Sequence, residues 1–175
     1  METEMKNLSI ELGYKLGGVL AFSTIAIYAI DYELFLNPMT SLGVSIIIII
    51  AGVYSTIQSK NINDNALSFG ESFKSYFITV AIGYLFYHTT MFVIFSFIDI
   101  DAAKIIDDKL LVMLKENLKL WGVSKLEIKA MLIKAAKTSS FSFSTIASTY
   151  LVKLLGYSLI GLITSLAIKK NKTEY

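Results

Sequence analysis

Hydrophobic residues come in four long runs along this chain, separated by polar stretches. From Ser75 to Ile98, 24 consecutive residues carry no charge, about what a hydrocarbon core of ~30 Å demands of a helix. The run is entered through Ser68-Phe69-Gly70-Glu71, in which Ser68 can accept from the amide of residue 71 while Glu71 reaches back, a capping box. Upstream, Leu12 to Ile30 is apolar except for Lys15, and 26 uncharged residues lie between Glu33 and Lys60. The β-branched run Ile46 to Ile50 has strand propensity, but a lone strand cannot satisfy its backbone in lipid, so the segment is read as helix. Leu151 to Ile168 is apolar apart from Lys153. The pattern predicts spans over about 12–31, 41–58, 73–98 and 148–168. Met1 to Glu11 reads as a tail, and Asn37-Pro38 as a tight reversal.

Between the third and fourth runs the period changes. Ala102, Ile105, Ile106, Leu110, Met113, Leu114, Leu118 and Trp121 recur every three or four residues with lysines opposite, the pattern of an amphipathic helix. Gly122 ends it, and Ser124-Lys125-Leu126-Glu127 opens a second, whose face includes Ile128, Met131, Leu132 and Ala135. The expected helices cover about 102–121 and 125–138. The fold class is therefore all-α: an integral membrane four-helix bundle with an amphipathic helical hairpin between spans three and four, a single membrane domain over residues 1–175. The hairpin could cover the outer mouth of the bundle, lie in the headgroups with Trp121 as anchor, or present its stripe to a protein.

Composition narrows the function classes. The chain is 54% hydrophobic and 17% charged, with a mean hydropathy of +0.61. All 16 basic residues are lysine and the net charge is only +2, which argues against a nucleic-acid partner. There is no cysteine and one histidine, so thiol chemistry and histidine-cluster metal sites are excluded and no cofactor is expected. No lysine lies between Asp31 and Thr40, whereas Lys6, Lys15, Lys60, Lys74, Lys169, Lys170 and Lys172 fall on the other side. Both termini are accordingly expected in the cytoplasm.

Gly13-Tyr14, Leu67-Ser68-Phe69-Gly70-Glu71-Ser72-Phe73-Lys74, Trp121-Gly122-Val123-Ser124 and Gly161-Leu162-Ile163-Thr164-Ser165-Leu166-Ala167-Ile168-Lys169-Lys170 occur in this order. Together they resemble the small bacterial membrane protein family known as domain of unknown function 4199. The resemblance covers nearly the whole chain and implies a four-span architecture, and the expected location is the bacterial inner membrane. The resemblance implies no site.

Five residues of the third span form the candidate polar stripe: Tyr76, Thr79, Tyr87, His88 and Thr90, with Gly83 among them. An ionisable group in a bilayer is a functional candidate by default, yet a neutral imidazole bonded to a neighbouring helix needs no chemistry, and packing is the favoured reading. Gly13, Gly17 and Ala21, like Gly161 and Ser165, have spacings that let helices approach closely. Asp99-Ile100-Asp101 with Asp107-Asp108 resembles the paired carboxylates of a divalent-ion site, but acids at a helix start complement its dipole. Lys153 is expected either to pair with Asp99 or Asp101 or to reach the headgroups. These features point to a non-enzymatic accessory or scaffold subunit in contact with the lipid bilayer and with a membrane-protein partner or a second copy. The alternative is a small carrier or lipid-linked-substrate handler working along the stripe.

Overall fold

Side-chain caps decide where the helices begin. In the computed structural model, which describes residues 2–169, helix α1 runs Glu2–Asp31 and is followed by a 3-10 turn at Tyr32–Leu36. Helix α2 spans Pro38–Ile62, with the Asn37 side chain accepting from the Met39 amide and proline in the first turn, where its missing N–H costs nothing. Helix α3 spans Phe69–Val93 behind the Ser68–Glu71 capping box and continues as a π turn at Ile94–Ile98. The hairpin follows: α4 at Ile100–Leu120 and α5 at Lys125–Ala135, the latter opened by the Ser124–Glu127 box. Gly122, at φ +74°, closes α4, with the Val123 amide donating to the Leu118 carbonyl and the Gly122 amide to that of Lys119, a Schellman ending that glycine accepts without strain. Helix α6 spans Phe143–Ile168.

Helices α1, α2, α3 and α6 are long and apolar enough to cross a membrane. Helix α3 packs on the other three; α2 also touches α1 and α6, whereas α1 and α6 do not meet. Helices α1 and α3 run parallel, since Ser9 meets Ser75 at one end and Tyr28 meets Asp99 at the other. Added Cβ atoms would fall 2.8 Å from Ile82 at Gly13 and 2.7 Å from the Phe86 ring at Gly17, so the absence of side chains there sets the helix spacing. The outward face of α6, with Leu151, Val152, Leu155, Leu159, Ile163 and Leu166, is 57–70% exposed, an apolar band suited to hydrocarbon and not to water.

Two apolar clusters lie along the bundle. One joins Leu16, Leu20, Ile48, Tyr76, Val80, Tyr84 and Tyr157. The other, at the hairpin end, gathers Ile94, Phe95, Ala102, Ala103, Ile106 and Phe141. Its centre is Phe95, stacked on Phe141 at 4.3 Å and edge-on to Tyr28 and Phe35. The π turn makes this possible: the Asp99 amide donates to the Ile94 carbonyl over 2.8 Å, one residue further back than in an α-helix, which rotates the last turn.

The helices are longer than the apolar runs suggest. Residues 2–11 are helical and not a tail, because Met5 and Ser9 are buried and Ser9 donates to the Met5 carbonyl. Helix α6 begins at Phe143, ahead of the expected 148, since Ser142 caps it and Ser148 returns its hydroxyl proton to the Ser144 carbonyl. The serines of this segment thus satisfy the helix they belong to. Of the stripe expected on α4, Ala102, Ile106 and Leu118 are buried, but Ile105, Met113 and Trp121 stay exposed. Only the first three turns of α4 dock on the bundle.

Asp99 holds the bend into α4. Its carboxylate accepts from the Ala102 amide at 2.9 Å and from the Tyr28 hydroxyl at 2.8 Å. These bonds, the helix cap first, hold its pKa below the ordinary carboxylate range of about 4. A lowered folded-state pKa means that its contribution is complete above that range and is lost as pH falls through the folded value. Asp99→Asn should therefore flatten the acid limb of thermal stability below about pH 4 and leave its shape unchanged at neutral pH. An unaltered acid limb would contradict the cap.

Candidate functional site

The expected polar stripe lies inside the bundle. Tyr76 is fully buried, with its ring between α2 and α6: Cβ atoms added at Gly52 and Gly161 would lie 2.6 and 2.5 Å from it. Its hydroxyl has no hydrogen-bond partner. Thr79 is fully buried against α1 and α2, Tyr87 is half-buried, and Thr90 returns its hydroxyl proton to the Phe86 carbonyl of its own helix. Four of the five residues lie against neighbouring helices or rings, and Thr90 satisfies itself.

His88 sits in a cage of tyrosines. Its ring centroid lies 4.3 Å from Tyr84, 5.4 Å from Tyr87 and 5.7 Å from Tyr150. Nδ1 is 3.3 Å from the Tyr84 carbonyl one turn back, a long contact. Tyr84 also meets Tyr157 edge-on at 5.2 Å and stacks on Tyr150 at 5.8 Å. Both partners come from α6 and anchor themselves with their hydroxyls: Tyr150 donates to the Ala81 carbonyl, Tyr157 to the Ser45 hydroxyl on α2. This arrangement welds α3 to α6, with aromatic edges meeting aromatic faces.

Serines unremarked in the apolar runs make the densest polar contact. Near the end of the bundle that carries the termini, Ser75 Oγ lies 2.9 Å from Ser9 Oγ, 2.9 Å from Ser55 Oγ and 2.7 Å from Ser59 Oγ. A hydroxyl donates once and accepts twice, so three neighbours exhaust Ser75. Thr79 Oγ1 adds contacts to the Ser9 carbonyl at 2.9 Å and to Ser55 Oγ at 2.8 Å. All five residues are at most 3% exposed. The knot ties α1, α2 and α3 together and forms one wall of a groove of about 300 Å³, flanked by Met5, Lys6, Glu71 and Lys74. Its signal in the sequence is the spacing of four in Ser55–Ser59 and Ser75–Thr79, which places each pair on one helix face.

The acids act structurally. Asp101 pairs with Lys104 at 2.9 Å, and Asp107 accepts from the Ser140 amide at 3.0 Å, tying α4 to the start of α6. No group of three metal-ligating side chains comes together among the described residues. Of the two alternatives for Lys153, the structure does not form the pairing: Asp99 is engaged by Tyr28 and Ala102, Asp101 by Lys104, and Lys153 stands exposed on α6. The early start of α6 explains this, because it sets Lys153 ten residues, or ~15 Å, in from Phe143 and away from the hairpin end.

The fold thus defines a multi-pass helical membrane protein. Residues 11–170 match the model of the protein of unknown function family DUF4199, and the chain belongs to that family. Neither the curated proteins nor the solved structures contain a match.

If His88 is a packing residue, His88→Gln should lower stability by only ~1 kcal/mol, the scale of an interhelical polar contact. Tyr84→Ala should cost about 3 kcal/mol or more, because it empties the centre of the ring cluster. Thermal unfolding in detergent ranks the two, and a His88→Gln loss equal to that of Tyr84→Ala would contradict the packing role.

Proposed function

We propose that this chain is a non-enzymatic accessory or scaffold subunit of a bacterial cytoplasmic membrane, with both termini cytoplasmic, that docks on another membrane protein through α6. The observation that carries the reading is Lys153. It lies within the span, exposed on the flank of α6, and no carboxylate among the described residues pairs with it. One turn on, a Cβ at Gly156 would have nothing within 4 Å. Charges inside membranes pair or face a protein interior, and small residues admit a second helix closely. No aspartate or glutamate lies between Glu71 and Asp99 in α3, within α2, or in the span of α6. A second copy therefore has no acid in those helices to answer Lys153, and the fitting partner is a different membrane protein bearing a carboxylate at that depth. The filled surroundings of Tyr76 and Tyr84 favour this reading over a carrier, which needs a wet path along the stripe.

The test is purification of tagged protein in mild detergent followed by mass spectrometry, for wild type, Lys153→Arg and Lys153→Gln. The expected outcome is a stoichiometric membrane partner that survives arginine and is lost with glutamine. A monodisperse chain that comes down alone, or a partner indifferent to both substitutions, overturns the proposal.

A further inference from the structure

We propose that the tip of the α4–α5 hairpin docks on the anionic surface of the bilayer that the chain itself spans, inserting Leu120, Trp121 and Leu126 among the headgroups. This docking does not depend on what α6 binds.

The hairpin lies across the end of the bundle. Helix α4 contacts both the π turn that ends α3 and the 3-10 turn joining α1 to α2. Lys109, nine residues into α4, is still ion-paired with Glu33 of that 3-10 turn. A helix continuing the axis of α3 would have carried Lys109 ~14 Å clear of the bundle, so α4 instead lies across its end. Beyond Lys109, eleven more residues reach ~16 Å further, and there the only helix that α4 packs against is α5, which itself touches none of the spans. The tip therefore overhangs the edge of the bundle, where lipid headgroups lie.

The tip carries the chemistry of a membrane interface. Leu120, Trp121 and Leu126 are 79–82% exposed, among the most exposed large apolar residues of the chain. The turn that presents them is closed by the Gly122 Schellman ending and the Ser124–Glu127 box. Seven lysines against two glutamates lie between residues 109 and 137, whereas the whole chain carries a net charge of only +2. Such an excess of lysine around an apolar tip with tryptophan is complementary to an anionic lipid surface: the rings and aliphatic chains enter the interface and the ammonium groups meet phosphates.

Trp121 is the only tryptophan, so the intact protein carries its own probe. Full-length protein is reconstituted into vesicles of phosphatidylcholine, with or without phosphatidylglycerol, whose acyl chains are brominated near the headgroup. Trp121 emission should be blue-shifted and quenched about twofold or more in the anionic vesicles. The quenching should weaken in neutral vesicles and in Lys119→Gln/Lys125→Gln, and be lost in Leu120→Ser/Leu126→Ser, whose altered side chains are exposed and leave the bundle intact. Unquenched emission at the wavelength of exposed indole would overturn the proposal. So would a blue shift without quenching, which would mean a protein contact, or quenching only by brominated vesicles added from outside, which would mean an apposed membrane. Equal quenching in neutral and anionic vesicles would remove the role of charge.

Discussion

The ring of Tyr76 fills the space that side chains at Gly52 and Gly161 would take, so one residue of α3 sets the distance to α2 and α6 together. In lipid there is no hydrophobic gain in pressing helix on helix, and close packing with a few polar contacts must supply the association. Gly83 on the far side of α3 receives Leu16, while Gly13 and Gly17 of α1 receive Ile82 and Phe86. Helix α3 is thus keyed to three neighbours at once. The unpartnered Tyr76 hydroxyl indicates that the bulk of the ring, and not its polar end, matters at this position, because a buried orphan hydroxyl only costs stability.

The polar groups of the spans follow from the same constraint. A hydroxyl left unbonded in hydrocarbon costs stability, and apart from Tyr76 and Ser72 the fully buried hydroxyls bond either to their own helix, as Thr24 and Ser165 do, or across helices, as in the knot around Ser75. Interhelical bonds of this kind average about 0.6 kcal/mol each, so the knot fixes the register of α1, α2 and α3 more than it adds to their stability. Lys153 and the tip of the hairpin break the pattern: a lysine within a span and large apolar side chains beyond the spans both stand exposed.

Much of this was legible in the sequence. Span length in apolar residues, the capping boxes at Ser68 and Ser124 and the stop at Gly122 located the helices, because local chemistry determines them. Helix starts at Glu2 and Phe143 were hidden: at the first, burial of Met5 and Ser9 decides, and at the second, Ser142 caps the helix while exposed Ser148 bonds to its own backbone, and serine favours loops as readily as caps. The stripe from Tyr76 to Thr90 was visible as a face, but what filled it depended on Gly52, Gly161, Tyr150 and Tyr157 of other helices. The π turn at Ile94–Ile98 and the resulting path of α4 had no signature. That path is why Asp99 meets Tyr28, not Lys153.

Tyr76 and the glycines facing it form one steric unit, which a double-mutant cycle can measure. Gly161→Ala in the wild-type background should lower stability by about 1–3 kcal/mol, the cost of overpacking. In a Tyr76→Ala background most of that cost should vanish, a coupling of about 1 kcal/mol or more. Unfolding in detergent provides the measurement. Additive losses, or an alanine at residue 161 tolerated in the presence of Tyr76, would contradict the account.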